Sequence, residues 1–385
     1  MITITTTEGL QSFCAVANTA PYVTVDTEFL RERTYYSKLC LVQLAYPGNG
    51  VDDAVLVDPL AKGISLEPLY ELLGNESVVK VFHAARQDVE IFFIEGGVIP
   101  TPLFDTQLAA MVAGFGEQVG YETLVRKIAN ESVDKSSRFT DWSRRPLSDA
   151  QKNYALADVT HLRVIYQTLS DKLDRSGRRP WLNEELSILT DPETYVIDPE
   201  NAWKRLKTRT NSSKFLAVVR ELARFRENHA RQNNIPRSRV MKDDALLEVA
   251  STRPQSHKDL GRSRLLLREA RKGDIADGII AAVKVGIQTP PEEQPKPDRS
   301  REKLQVNPAL ADLLRVLLKA KSEELGVAQK LMATSSDLDE IAAGLRDVAA
   351  LKGWRRDAFG NDALRLCDGK IGLRANGKSV EAFEI

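Results

Sequence analysis

The sequence predicts an α/β domain followed by two small helical domains. Runs rich in β-branched residues, bounded by Pro, Gly, Asn or Asp, predict four strands, at residues 23–29, 38–45, 54–58 and 78–82. Apolar residues at helical spacing lie between and after these strands, and beyond residue 208 only the helical spacing remains. Strands mixed with helices, then helices alone, favour one α/β unit with helical domains attached to it.

Changes in composition divide the chain into five segments. Three prolines and little periodicity make the stretch after residue 175 a predicted connector, and a proline-rich, charged stretch near residue 290 predicts an extended linker. Apolar residues recur at helical spacing between these stretches and again after the linker. The predicted segments are the α/β domain 1–175, the connector 176–207, the first helical domain 208–290, the linker 291–304 and the second helical domain 305–385.

The composition is that of a globular cytoplasmic protein. Hydrophobic residues make up 42% and charged residues 28% of the 385 residues. No apolar run approaches the roughly 18 residues that a membrane span needs, so membrane insertion and secretion are not expected. The three cysteines are far apart, so neither a disulfide framework nor a cysteine-based zinc site is expected.

The net charge of zero conceals an uneven distribution of charged residues. Residues 1–170 hold 21 acidic and 14 basic side chains, whereas residues 201–275 hold 19 basic and eight acidic ones. An acidic region can hold cations, and a basic region can hold a polyanion. The distribution favours a catalytic unit followed by a nucleic-acid-binding unit, although a basic helical face can equally be a solvated surface.

Acidic residues in three places have the spacing of a metal site. Asp26 and Glu28 stand two apart on a predicted strand, so their side chains share one face. Tyr154 and Asp158 stand four apart on a predicted helix and also share a face. Asp88 follows the strand that ends near residue 82, and ligands are common at such strand ends. Carboxylates brought together repel one another, so a positive ion is expected between them.

In this order the motifs resemble those of the DEDD exonuclease superfamily in its tyrosine subclass, which are Asp-x-Glu, then Asp, then Tyr-x-x-x-Asp. The flanking residues are similar to those of the ribonuclease D family: Thr-Glu-Phe-Leu-Arg-Glu-Arg from Thr27, Asp-Trp-Ser-Arg-Arg-Pro-Leu-Ser from Asp141 and Tyr-Ala-Leu-Ala-Asp-Val from Tyr154. The resemblance implies an α/β ribonuclease-H-like 3′→5′ exonuclease domain, a mixed sheet flanked by helices. It also implies two all-α domains of the helicase-and-ribonuclease-D C-terminal (HRDC) type, the second marked by Gly353-Trp-Arg-Arg.

The same resemblance implies the chemistry of the site. Two Mg²⁺ or Mn²⁺ ions are expected, with Asp26 bridging them, Glu28 and Asp158 completing one ion site and Asp88 the other. Tyr154 is expected to orient the attacking water. Oxygen ligands favour such hard cations, and two ions can stabilise both the attacking and the leaving oxygen of a phosphodiester.

The resemblance also implies the substrate. The expected reaction removes 5′-mononucleotides from RNA 3′ ends, and the expected substrates are precursor tRNA and other small structured RNAs with single-stranded 3′ ends. A monomer is expected. Two alternatives stay open: a DNA 3′→5′ exonuclease of the same fold, because no residue identifies a contact to a 2′-hydroxyl, and a non-catalytic RNA-binding scaffold. The presence of every expected carboxylate disfavours the scaffold.

Substrate contacts are less specifically predicted. Basic residues can bind phosphates and aromatic residues can stack on bases, but both residue types also serve packing and ion pairs. Arg138 and Arg144 are open to both interpretations, and Asp105 either caps the following helix or supports the metal site. The main candidates for RNA contact are Phe29, His83, Lys135, Arg145, Arg220, Arg224 and Arg231.

Overall fold

A computed structural model describes residues 1–48, 50, 52–134, 136–208, 212–296 and 305–385. Within these residues the chain forms two compact units. The first unit comprises Met1–Glu28, Cys40–Thr194 and Lys303–Ile385, and the second comprises Phe29–Leu39 and Tyr195–Glu302. Across the described ranges, no helix has the length and apolar character needed to cross a membrane. The domain limits given above divide the chain differently from these units and stay predictions.

A six-stranded mixed sheet forms the centre of the first unit. Its strands are β1 (Ile2–Ile4), β2 (Tyr22–Leu30), β3 (Lys38–Ala45), β4 (Ala54–Val57), β5 (Val79–Phe82) and β6 (Leu103–Asp105). Their order in the sheet is β1-β4-β3-β2-β5-β6. Strand β3 runs antiparallel to β4, whereas β2, β5 and β6 are mutually parallel and β1 is parallel to β4. Strand β2 therefore lies inside the sheet, and its Val23 and Val25 are fully buried.

Helices pack around this sheet through apolar side chains at helical spacing. The longest helix begins at a capping box, in which Ser148 and Gln151 satisfy each other's backbone N–H groups. The helices are α1 (Thr7–Ala17), α2 (Glu67–Gly74), α3 (Arg86–Gly96), α4 (Thr106–Val112), α5 (Tyr121–Leu124), α6 (Asp149–Arg175) and α7 (Arg179–Thr190). Helix α6 contacts β4, β5 and α4 and so lies directly against the sheet.

The second unit is mainly helical. Its helices are α8 (Ser213–Gln232), α9 (Arg237–Val240), α10 (Asp243–Thr252), α11 (His257–Leu260) and α12 (Gly273–Gln288). Helices α8 and α12 approach closely where a Cβ atom on Gly286 would lie 2.6 Å from the Cα atom of Val218. Only glycine fits this crossing without moving one helix backbone.

The segment Phe29–Leu39 belongs to the second unit through a buried polar network. The Tyr35 hydroxyl donates to the carboxylate of Glu227, and Arg237 donates to the same carboxylate through two nitrogens at 2.6 Å. The Tyr35 backbone N–H donates to Asn234 Oδ1 at 3.0 Å. Because Glu227 is 2% exposed, these donors replace the water that a buried carboxylate loses.

The C-terminal region packs against α7 within the first unit. Trp354 stacks on Trp181 with ring centres 4.7 Å apart, and its Nε1 donates to Glu185 at 2.8 Å. Arg355 donates to the same carboxylate at 2.8 Å. The elements of this region are α13 (Pro308–Leu325), α14 (Gln329–Met332), α15 (Ser335–Ala342), α16 (Gly353–Arg355), α17 (Asn361–Cys367), β7 (Ile371–Asn376) and β8 (Ser379–Glu384).

Two of these elements were not anticipated from the sequence. Helix α7 lies in the predicted connector, where Pro180 suggested a break; proline is compatible with the first turn of a helix, which is where α7 places it. The antiparallel hairpin of β7 and β8 ends a region predicted to be helical. Its two-residue loop is Gly377-Lys378, with Gly377 at φ 63°, and glycine is favoured at the first central position of such tight hairpin turns.

Candidate active site

Strand β2 brings two acidic side chains to the centre of the sheet. Asp26 and Glu28 share a face of this strand, as the alternation predicts. One carboxylate oxygen each of Asp26, Glu28 and Asp158 lies within 4.8 Å of the corresponding oxygens of the other two. Oxygens this close can be ligands of a shared cation.

Helix α6 supplies the third carboxylate and the tyrosine. Asp158 is 7% exposed, and Tyr154 lies one turn earlier on the same face. Two hydrogen bonds fix this turn: Thr24 Oγ1 donates to the Val159 carbonyl at 2.9 Å, and the Tyr121 hydroxyl donates to the Asp158 carbonyl at 2.5 Å. Tyr121 was not singled out from the sequence, where nothing in its neighbourhood marks it.

The fourth predicted carboxylate, Asp88, is buried near the start of α3. It accepts a hydrogen bond from Thr27 Oγ1 at 2.5 Å. It lies outside the group of oxygens within 4.8 Å of one another. Burial, followed by repulsion from Asp26, nevertheless raises the pKa of Asp88 well above its usual value, so the four carboxylates share one electrostatic environment.

Burial and mutual repulsion make the ionised form of these carboxylates unfavourable. Burial, followed by repulsion from Asp158, raises the pKa of Asp26 well above its usual value. Burial, followed by repulsion from Asp26 and Asp158, raises the pKa of Glu28 to about 9. Burial raises the pKa of Asp158 to about 7, although a hydrogen bond from Tyr154 opposes the shift. Without a cation, several of these acids would keep their protons at neutral pH.

A divalent cation fits this donor set. Each carboxylate presents hard oxygen ligands, which suit Mg²⁺, Mn²⁺ or Ca²⁺ better than zinc. Positive charge placed among the carboxylates would offset both their repulsion and their lost hydration. The protein itself supplies little of this charge, since among the described residues Arg138 is the single Arg or Lys that lines the cavity.

A cavity opens at these residues. It is lined by Asp26, Tyr154 and Asp158, together with His83, Tyr121 and Arg138. His83, a predicted substrate contact, lies 3.0 Å from Thr106 Oγ1 through its Nδ1, and burial lowers its pKa. A neutral imidazole at the cavity wall can exchange hydrogen bonds with a substrate without adding charge.

Asp105 caps α4 and also ties down the preceding loop. Its carboxylate accepts from the backbone N–H groups of Gln107 and Leu108 at the start of α4, and from those of Ala84 and Ala85. The helix-cap interpretation is therefore confirmed, and the four bonds occupy the carboxylate oxygens.

Arg145, predicted to contact RNA, has protein partners on all sides. Its Nε and Nη2 donate to the Asp58 carboxylate at 2.6 and 2.7 Å, and Nη2 also donates to the Cys40 carbonyl at 2.7 Å. Burial favours the neutral form of Asp58, but the hydrogen bonds from Arg145 and the Leu60 backbone, together with the charge of Arg145, outweigh it and lower the pKa of Asp58. This arrangement is that of a structural ion pair. Lys135, the neighbouring candidate, lies outside the described residues.

The three arginines predicted to bind RNA from α8 are also paired within the second unit. Arg220 and Arg224 both contact Glu221, which is 3% exposed, and Arg231 donates to the Ile197 carbonyl. Glu221 is close to Arg220 and Arg224 in the sequence, whereas Ile197 is 34 residues from Arg231. Phe29 is half-buried on β2 directly after Glu28. RNA contact at these positions stays a prediction.

The fold and its acidic cavity define a class of nuclease. Residues 1–174 match the 3′-5′ exonuclease family, and residues 215–283 match the HRDC domain family. The crystal structure of Escherichia coli RNase D superposes with a TM-score of 0.81 at 28% identity, covering 95% of this chain and 98% of that one. The protein is therefore a 3′-5′ exonuclease whose sheet, flanking helices and helical C-terminal region confirm the predicted fold.

Full-length relatives define the family. Ribonuclease D of Jannaschia sp. (strain CCS1) is 64% identical over 383 residues, covering 100% of this chain and 99% of that protein. Ribonuclease D of Granulibacter bethesdensis is 49% identical over 98% of this chain and 95% of its own length. The chain belongs to the ribonuclease D family of metal-dependent 3′-5′ exoribonucleases. This assignment supports the exoribonuclease over the DNA-exonuclease and scaffold alternatives left open by the sequence.

Proposed function

We propose that Asp26, Glu28, Asp88 and Asp158 hold two divalent metal ions, Mg²⁺ or Mn²⁺, at which the terminal phosphodiester of an RNA 3′ end is hydrolysed. The close grouping of three carboxylate oxygens in the cavity carries this proposal. Asp26 would help to hold both ions, because it belongs to this group and its charge also acts on Asp88. The bound ions would supply Lewis-acid stabilisation of the attacking and leaving oxygens.

The residues around the carboxylates have separate tasks. Burial, followed by repulsion from Asp158 and Glu28, raises the pKa of Tyr154, so its hydroxyl keeps its proton. A protonated hydroxyl beside Asp158 can orient a water molecule by hydrogen bonding but is a poor base. The bonds from Thr24 and Tyr121 to the backbone of α6 hold this turn in place, which keeps Tyr154 and Asp158 at fixed positions.

The proposed substrates are precursor tRNA and other small structured RNAs with single-stranded 3′ ends, processed in the cytoplasm by a monomer. Two observations support this choice. The E. coli relative is described as an exoribonuclease involved in structured RNA processing. The chain also carries a helical unit with 19 basic and eight acidic side chains over residues 201–275, and such an excess of positive charge suits the backbone of a folded RNA.

The test is hydrolysis of a 3′-extended RNA by the full chain and by Asp26→Ala, in Mg²⁺ and in EDTA. We expect the substitution to lower kcat by about 10³-fold, because metal-held charge contributes several kcal/mol to such transition states. EDTA should have a similar effect on the unsubstituted chain, while RNA affinity stays within about threefold.

Asp171→Ala is the matched control, because this aspartate lies on α6 like Asp158 but is 68% exposed. It should keep full activity. Full cleavage by Asp26→Ala, or equal losses in both variants, would remove Asp26 from the proposed site.

A further inference from the structure

An exposed aromatic side chain stands beside the cavity. Phe139 is 91% exposed, the highest value among the large apolar side chains of the described residues. The guanidinium of the preceding residue, Arg138, lies 5.2 Å from the centre of its ring. A single exposed apolar residue needs no explanation by itself. Here, however, its neighbour in sequence lines the cavity together with Asp26, Tyr154 and Asp158.

Arg138 differs from the other arginines considered above. Arg145, Arg220, Arg224 and Arg231 all donate to protein oxygens, whereas Arg138 forms no hydrogen bond or ion pair with any residue that the structure describes. Its charge reaches the carboxylates, since it partly offsets the burial that raises the pKa values of Glu28 and Asp158. A guanidinium with free donors, at the mouth of a cavity for RNA, is suited to a phosphate oxygen.

The backbone on both sides of this pair is anchored. Ser137 is 4% exposed, and Thr140 Oγ1 donates to its carbonyl at 2.8 Å. Gln151 of α6 donates to Thr140 Oγ1 at 3.0 Å. The two residues between these anchors are therefore presented by fixed backbone, with the side chain of Phe139 exposed to solvent and Arg138 lining the cavity.

We propose that Arg138 and Phe139 form a substrate grip, in which the guanidinium pairs with a backbone phosphate of the RNA 3′ end and the phenyl ring stacks on a base next to it. This inference rests on the proposed carboxylate site, which defines where the 3′ end must lie. Stacking accepts any base because every base has an aromatic face, so the grip would bind RNA ends without sequence preference.

The first experiment measures steady-state kinetics of Phe139→Ala on a single-stranded RNA. We expect KM to rise about tenfold, as for loss of one stacked base, while kcat changes less than about threefold. Phe139→Trp should restore KM, because it restores an aromatic face, and Phe139→Leu should not. Ile188→Ala is the control for loss of an exposed apolar side chain, since Ile188 is 57% exposed on α7, and it should leave KM unchanged.

A second substrate distinguishes stacking from a structural effect. On RNA whose last three nucleotides lack bases, Phe139→Ala should cause no further loss, because there is no base for the ring to contact. The same tenfold loss on both substrates, or no loss on either, would overturn the role of Phe139.

Arg138→Gln tests the phosphate contact. Binding to metal-free protein should weaken, and the slope of log affinity against log salt should fall by about 0.7, the value for one phosphate contact in a single strand. An unchanged salt slope would overturn this contact. If Asp26→Ala abolishes activity while both grip variants behave like the unsubstituted chain, the grip fails and the carboxylate site stands; an active Asp26→Ala removes the site itself.

Discussion

Two groups of buried carboxylates in this protein have pKa values shifted in opposite directions. In the second unit, burial favours the neutral form of Glu227, but bonds from Arg237 and Tyr35 outweigh it and lower the pKa of Glu227. In the first unit, burial followed by repulsion from Asp158 raises the pKa of Asp26, and burial followed by repulsion from Asp26 raises the pKa of Glu28. The donors and positive charge around Glu227 are enough to lower its pKa, whereas those around Asp26 and Glu28 are not.

This difference separates a structural acid from a functional one. An ionised carboxylate loses hydration wherever it is buried, and a partner must replace that hydration. Around Glu227 the partners are side chains of the same unit. Around Asp26 the replacement must come from outside the chain, which is the situation expected of a metal site. Three measurements can break or sharpen this comparison.

The largest effect is expected from removal of the paired acid. Glu227→Ala leaves the Arg237 guanidinium and the Tyr35 hydroxyl without their shared acceptor, so we expect the free energy of unfolding to fall by about 3–5 kcal/mol. Urea denaturation followed by circular dichroism measures this change. Glu269→Gln, at an exposed acid of the same unit, should change it by less than about 0.5 kcal/mol. A loss below about 1 kcal/mol for Glu227→Ala would show that the network adds little to stability.

An intermediate effect is expected from metal and pH together. Glu28 titrates near 9 in the metal-free folded chain against an ordinary pKa of 4.5, so the folded state holds a proton that the unfolded state releases. The stability that this proton gives is present below pH 4.5 and is lost as pH rises towards 9. Thermal unfolding in EDTA should therefore show a Tm that falls over this range.

Divalent metal should reverse that fall. Mg²⁺ or Mn²⁺ at 100 times its dissociation constant at pH 8 should stabilise the folded chain at that pH by about 2.7 kcal/mol. The same metal concentration should give a smaller gain at pH 5, because the ligands must lose their protons. Glu28→Gln should remove part of the alkaline fall. A metal-free Tm that rises steadily from pH 5 to 9 would contradict the description of these acids as unpartnered.

The smallest effect is expected from neutralising one member of the group. Asp26→Asn keeps the shape of the side chain and removes its charge, so the metal-free protein should gain about 0.5–2 kcal/mol of stability while losing activity. The gain should increase with pH, because the folded aspartate must hold a proton that the asparagine does not need. Thermal unfolding of both chains at pH 6 and pH 8 in EDTA measures it. A loss of stability at pH 8 would indicate that Asp26 has a partner in the protein.

Periodicity predicted the elements that bring the acids together, and little else about them. Alternation on β2 placed Asp26 and Glu28 on one face, and helical spacing paired Tyr154 with Asp158. Rules of this kind relate residues two to four positions apart, so they can be recognised directly in the sequence. Two elements differ from the expectation within the confirmed fold: Pro180 lies in the first turn of α7 rather than in a connector, and Gly377-Lys378 forms a hairpin loop in a region predicted to be helical.

Long-range pairing could not be predicted in the same way. Arg145 and Asp58 are 87 residues apart, and nothing near either residue indicates that they bind each other. The availability of the Arg138 guanidinium was not predictable either: the sequence left Arg138 and Arg144 equally open and favoured Arg145, whereas in the structure Arg144 pairs with Asp141 and Arg145 with Asp58. Charge type is visible in a sequence, but which charges remain available depends on the tertiary fold.

The network around Tyr35 imposes an order of events on synthesis. The partners of Tyr35, Glu227 and Asn234, lie 192 and 199 residues later in the chain, so they are synthesised after it. At translation rates of about 5–20 residues per second, Tyr35 is synthesised roughly 10–40 s before these two partners. During that interval the segment Phe29–Leu39, which follows Glu28, lacks the helices of the second unit to pack against. A nascent chain would therefore carry its acidic strand well before the segment beyond it can be anchored by Glu227 and Asn234.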